Sequence, residues 1–176
     1  MVHARDMPAE PNFTIHPDTE IARAAAEQLF TQIASTLREL LLASAEIRHI
    51  GATAIPGCLT KGDLDIVVRV EQKHFARADE LLAKRFARNT GSVQAGTFSA
   101  FEDAGSSPPL GIQLTAVDGP YDDFHLFVDA LQRDPQLVAK YNGLKSRFDG
   151  QPMQDYRAAK DAFIAEVLAS IAHPAE

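Results

Sequence analysis

The chain has no tryptophan, one cysteine among 176 residues, and no uninterrupted apolar run of the roughly 18 residues needed to span a bilayer. With Cys58 as its only thiol there is no internal disulfide and no cysteine cluster for zinc, and a reducing, cytoplasmic setting is expected. No base neighbours Cys58 in sequence, so a small buried structural thiol is the expected role. The first residues carry His3, Arg5 and Asp6 with no apolar stretch behind them, so neither a signal peptide nor a membrane partner is expected. His3, His16, His74 and His173 lack the spacing of zinc ligands. With 17 basic against 24 acidic residues the net charge is −7, which lacks the clustered cations that displace counterions from a nucleic-acid backbone; no extended nucleic acid is expected as a partner. A Walker lysine motif, a dinucleotide glycine fingerprint and a serine elbow are also missing.

The apolar fraction of 45% in a chain of 176 residues suits one domain with a sizeable core. Residues 1–16 read as an irregular, proline-containing segment and residues 17–172 as a single domain, its core over about 17–118 and C-terminal helices over about 122–172. Ile21, Ala25, Leu29, Ile33, Leu37 and Leu40 recur at helical spacing, which predicts a long amphipathic helix opened by Pro17, Asp18 and Glu20. Glu46 to Ile50 reads as a short strand, His74 to Arg88 as a covering helix, and Ser92 to Phe101 as a strand. Gly105 to Pro109 is a loop. Gly111 to Val117 alternates apolar and polar residues, as a strand with one buried face does. Helices are expected over Asp122–Gln132, Pro135–Phe148 and Asp155–Ala172, the second opened by an Asp134 N-cap and Pro135. The last would turn Tyr156, Ala159, Phe163, Val167 and Ile171 inward. The fold class is therefore α+β, or α/β: a small mixed sheet backed by the N-terminal helix and covered by the C-terminal helices.

The segment HIGATAIPGCLTKGDLDIVVRV, His49 to Val70, carries the chemistry. In a strand, Asp63 and Asp65 point to one face while Leu64, Ile66 and Val68 point to the other. Two adjacent carboxylates call for a neutralising cation, and Mg2+ takes such oxygen ligands together with waters and substrate phosphates. Ahead of them, Gly51 lets backbone N–H groups approach an anion closely, Thr53 adds a hydroxyl and Lys61 a point charge for phosphate.

A strand, a Gly-Ser-type turn, a spacer and Asp-x-Asp on the next strand resembles the nucleotidyltransferase superfamily related to DNA polymerase beta. More closely, HIGATAIPG, Lys61 and DLDIVV resemble the GrpB family, as do FHLFVDALQRDPQLVAKYNGLKSRF and DYRAAKDAFIAEVL; the resemblance spans roughly residues 12–172. It implies a nucleotidyltransferase-like fold with Asp63 and Asp65 as metal-binding and catalytic residues, Mg2+ as cofactor and an NTP as substrate or ligand. Gly51, Ala52, Thr53, Lys61, Gln113, Thr115, Tyr141, Lys145 and Lys160 would line the nucleotide site. Two departures stand out. Ala52 replaces the serine of the usual Gly-Ser turn, and Gln113 and Thr115 stand on the strand where active transferases carry a third acid and where GrpB members tend to carry histidines. Glu102, Asp103 and Asp118 are the other acids near that region, and no residue presents itself as general base.

Tyr141 with Lys145, and Tyr156 with Lys160, are each four apart and share a helical face. They read either as lysines reaching a triphosphate or as half-buried tyrosines covered by lysine stems. His49 either donates to a phosphate or fixes its loop. His125, at a helix start, carries less. The expected function is Mg2+-dependent transfer of an NMP group from an NTP to a small-molecule or protein acceptor; the alternative is a catalytically inactive nucleotide-binding or protein-interaction module.

Overall fold

A computed structural model describes residues 10–173; His3, Arg5 and Asp6, and hence the expected absence of a signal peptide, lie outside them. Helix α1 spans Thr19–Leu40, and the Asp18 carboxylate accepts from the Ile21 N–H at 3.0 Å, an N-cap that satisfies one of the free donors of the first turn. Its buried face holds Ala22, Ala26, Ala34 and Leu37, while Ile21, expected on the inner stripe, is 63% exposed. From Leu29 onward the expected stripe faces the core, with Leu29, Ile33, Leu37 and Leu40 packed there; only the first turns differ, where Ala22 lies beside Gly62.

Strand β1, Glu46–Ile50, leads through a single 3-10 turn at Ala52–Ala54 to β2, Leu64–Val70. Helix α2 spans Gln72–Ala83 and stops short of the expected Arg88, because Ala87–Arg88 forms the short strand β3 against β4. That pairing is anchored by the Arg88 guanidinium, which donates to both oxygens of Asp79 at 3.0 and 2.6 Å. Strand β4 is Phe98–Asp103, so the expected strand from Ser92 is displaced; before Phe98 the chain makes only a bridge at Ala95. Strand β5 is Leu110–Ala116. Helices α3 at Phe124–Arg133, α4 at Pro135–Phe148 and α5 at Met153–Ala172 follow. Asp134 caps α4 by accepting from Gln136 N–H at 2.8 Å, with Pro135 in the first turn.

The sheet order is β1-β2-β5-β4-β3; β2 and β5 run parallel and the other pairs antiparallel. Leu64, Ile66, Val68, Leu110, Ile112 and Leu114 point to the face covered by α1 and α2. The opposite face carries Asp65, Val67, Arg69, Gly111, Gln113 and Thr115, with Phe127, Val128, Tyr141 and Val167 of the C-terminal helices packed around Val67. At the far end of this face, Arg69 donates to both oxygens of Asp122 at 2.6 Å, and Thr115 donates to the same carboxylate at 3.3 Å. On α5, Tyr156 and Val167 are buried, while Ile171, expected inside, is 42% exposed.

Residues 10–16, expected as an irregular lead-in, form no helix or strand, yet they are strapped to the body. Phe13 N–H donates to the Gln151 carbonyl at 2.9 Å, and Gly150 N–H donates back to the Phe13 carbonyl at 2.8 Å. The Phe13 ring is 1% exposed and stacks on Tyr156 at 3.7 Å. This aromatic anchor closes one wall of the cavity described next.

Candidate functional site

Asp65 stands on β2 between two residues without side chains. A Cβ on Gly51 would fall 2.7 Å from one of its carboxylate oxygens, and a Cβ on Gly111 would fall 2.9 Å from the other. Gly51 also has φ of 74°, a backbone conformation that favours glycine. The two glycines form a cradle that only this carboxylate fills. Burial, then the charge of Asp63, pushes the Asp65 carboxyl up to about 6, while Lys160, Lys61 and Lys145 pull it down; no hydrogen bond contributes. Ionised, Asp65 therefore lacks a donor among the described residues and faces a second acid.

Asp63 precedes β2 and pairs with Lys61 at 2.5 Å. Both acids open into a cavity of about 210 Å³, lined also by Gly51, Ala52, Lys61, Gln113, Tyr141, Lys145 and Lys160. Lys145 is 1% exposed; its ammonium donates to the Leu59 carbonyl and to Cys58 Sγ at 3.4 Å, and lies 4.0 Å over the Tyr141 ring. Burial pulls the Lys145 amine below its ordinary value, and burial pushes the Cys58 thiol up. Tyr141 and Tyr156 hydroxyls meet at 3.5 Å, a pair that shares one proton and leaves the other hydroxyl proton free. Burial raises both phenols, Tyr156 to about 12. Lys160 lies 6.0 Å over the Tyr156 ring. Each Tyr-x-x-x-Lys pair thus combines the two readings of its spacing: the tyrosine is core and the lysine borders the cavity.

Of the residues singled out in the sequence, three turn elsewhere. Thr53 is buried; its hydroxyl donates to the Asp63 carbonyl at 3.0 Å and meets His49 Nε2 at 2.9 Å, so it does not substitute in the cavity for the serine that Ala52 replaces. Thr115 shares the face of Asp65 but donates to Asp122 at the other end of β5. His49 sits on the α1 face of the sheet, its Nδ1 3.0 Å from Glu27, and so points away from the cavity. Burial pulls the imidazole below its ordinary value, opposed by the hydrogen bond and charge of Glu27.

No third acid joins the pair: among the described residues no three His, Cys, Asp or Glu side chains cluster as a metal site. Gln113 lies two residues beyond Gly111 on β5, opposite Val67 and on the same face as Asp65, and its buried Oε1 has no hydrogen-bond donor among the described residues. Glu102 pairs with Gly111 and so shares the face of Asp65, one strand removed, about 10 Å away laterally. Asp103 is exposed at the end of β4, and Asp118 sits in a turn with φ of 59°. Sequence reasoning missed Gly111 and Phe13. A glycine inside a strand signals close approach, whereas nothing local marks Phe13.

Five strands in this order, with paired acids beside a glycine turn and helices on both faces, make a nucleotidyltransferase-like fold. A crystal structure of Cid1 poly(U) polymerase bound to MgATP is similar with a TM-score of 0.50 at 13% identity, over 74% of this chain and 42% of that one. The conserved protein GrpB from Enterococcus faecalis is similar with a TM-score of 0.62 at 22% identity, over 81% of this chain and 90% of that one. The model of the GrpB protein family matches residues 21–170, and the chain belongs to that family. The UPF0157 protein VC_A0354 of Vibrio cholerae serotype O1 is 33% identical over 147 residues, 83% of this chain and 77% of the relative. No helix among the described residues is long and apolar enough to cross a membrane.

Proposed function

We propose that this protein binds a nucleoside triphosphate with Mg2+ in the cavity at Asp63 and Asp65 and transfers its NMP group to a hydroxyl, amine or phosphate of a small molecule or protein. The observation that carries this reading is the glycine-cradled Asp65, which has no donor and stands beside a second acid in a cavity bordered by three lysines. Such a donor set fits a hard divalent cation, whose other positions are filled by water and phosphate oxygens. Asp63 and Asp65 hold it, and when bound it neutralises charge on the triphosphate oxygens.

The chain's own groups do the rest. Lys61, which pairs with Asp63, and Lys160 at the rim would supply charge for the phosphates. Lys145, held by Leu59 and Cys58, supplies a fixed donor at the floor, and the free tyrosine hydroxyl proton a second. Phe124, Phe127 and Ile164 give the cavity its apolar wall. MgATP in the Cid1 structure supports the choice of ligand. The single, buried Cys58 supports a reducing, cytoplasmic setting.

A second reading, nucleotide binding without transfer, draws on Gln113, on the same face as Asp65 and lining the cavity, where an acid would hold a second cation. The two separate in one experiment. Titration calorimetry with each NTP and Mg2+ is expected to show metal-dependent binding that Asp63→Asn/Asp65→Asn abolishes, and pyrophosphate release on adding acceptors marks transfer. Binding without pyrophosphate leaves the second reading, and no binding to any nucleotide overturns both.

A further inference from the structure

Asp63 lies just outside β2, whose ladder begins at Leu64, so its carbonyl has no strand partner. What holds it is the Thr53 hydroxyl, at 3.0 Å. Thr53 is in turn met by His49 Nε2 at 2.9 Å, and His49 Nδ1 by the Glu27 carboxylate at 3.0 Å. Thr53 is 2% exposed and the His49 side chain 8%, so the Thr53 contacts are shielded from water, while the Glu27 carboxylate that meets the ring from outside is 64% exposed. The His49 ring is stacked on Phe30 at 5.3 Å, which fixes its plane. These groups come from three elements: Glu27 from α1, His49 from β1, Thr53 from the turn after Gly51. The chain of contacts runs from the α1 face of the sheet to the backbone of an acid on the cavity side.

We propose that Glu27, His49 and Thr53 form a positioning relay that sets the placement of Asp63, and through it the cation affinity of the cavity. The inference rests on the nucleotide and Mg2+ reading of that cavity. The Thr53 hydroxyl has one proton and two acceptors within reach. All three contacts are made at once when both ring nitrogens carry protons: Nδ1 donates to Glu27, Nε2 donates to Oγ1, and the hydroxyl proton turns onto the Asp63 carbonyl, whereas a bare Nε2 competes with that carbonyl for the one hydroxyl proton. Glu27 fixes the ring from its other nitrogen. A carboxylate, an imidazole and a hydroxyl in series hold an acid that faces the cation without themselves facing it, which is the part outer partners play around metal ligands. None of the three is a catalytic residue, since none touches the cavity's contents.

The test pairs Thr53→Val, which keeps shape and removes the hydroxyl, with Thr53→Ser, which restores it. Two measurements are made: the carbonyl 13C shift of Asp63 without any ligand, and Mn2+ titration in the presence of the tightest-binding NTP. Thr53→Val is expected to move the Asp63 carbonyl shift and weaken Mn2+ by about tenfold, and Thr53→Ser to return both to near the wild-type values. Glu27→Gln, on a side chain 64% exposed and isosteric with the original, is expected to weaken Mn2+ by a few fold and keeps the question answerable if Thr53→Val does not fold. An unmoved Asp63 shift and unchanged Mn2+ affinity in Thr53→Val, or a Thr53→Ser that behaves as the valine does, overturns the relay. If wild type binds no nucleotide or cation at all, the functional reading has failed, while the carbonyl shift still decides whether Thr53 holds Asp63.

Discussion

Replacing Asp65 by asparagine should make the ligand-free protein more stable while abolishing its cation site. The carboxyl is raised from 3.8 to about 6, first by burial and then by Asp63. At about 1.4 kcal/mol per pH unit, keeping it ionised costs the folded state about 3 kcal/mol. The folded state holds the proton more tightly than the unfolded chain, so this contribution favours folding below about pH 4 and is lost as pH rises through about 6. Asparagine is isosteric and cannot ionise, so at pH 7.5 Asp65→Asn should be more stable by about 2–3 kcal/mol, and near pH 4 the two proteins should coincide. Urea denaturation across pH 4–8 measures this; with a slope of about 2 kcal/mol per M, the midpoint should rise by about 1 M at pH 7.5. Asp79, Asp122 and Asp129, held low by Arg88, Arg69 and Arg48, titrate alike in both proteins and cancel from the difference. A difference that stays constant between pH 4.5 and 7.5, or a mutant that is less stable at pH 7.5, refutes the reasoning.

Gly111→Ala places a methyl 2.9 Å from the Asp65 carboxylate and should displace it, costing about 1–3 kcal/mol in denaturant and cutting Mn2+ affinity at least tenfold by titration. Lys145→Met removes a buried ammonium but strands the Leu59 carbonyl; the opposing terms should leave stability within about 1 kcal/mol, while loss of a charged phosphate donor lowers NTP affinity about 10–100-fold in calorimetry. Asp122→Ala leaves Arg69 without its buried partner and should cost about 3–5 kcal/mol, much of it recovered in Arg69→Met/Asp122→Ala, as chemical denaturation will show.

Local pattern sufficed for the elements whose signals are short-range. Asp18 and Asp134 cap helices because side-chain oxygen and free N–H groups lie within a few residues, and the period of two on β2 and β5 decides which residues share a face with Asp65. The paired acids, Gly51, Lys61 and the two helical lysines were visible for the same reason. The shortened α2, the late start of β4 and the shifted first turns of α1 were not visible, since each involves a partner distant in sequence: β4 for Ala87–Arg88, the Gly62 turn for Ala22. Direction was hidden too. Thr53 and His49 carry the right groups for phosphate, yet the 3-10 turn buries the hydroxyl beneath Asp63, and the pleat puts His49 on the α1 face. By itself the sequence determined which chemistry is present: two acids, three lysines and a glycine turn in an α+β fold. Only the tertiary structure decided what those groups face, because the parallel β2–β5 register sets Gly111 against Asp65 and the strap at Phe13 closes the wall, contacts between residues that the chain alone keeps far apart.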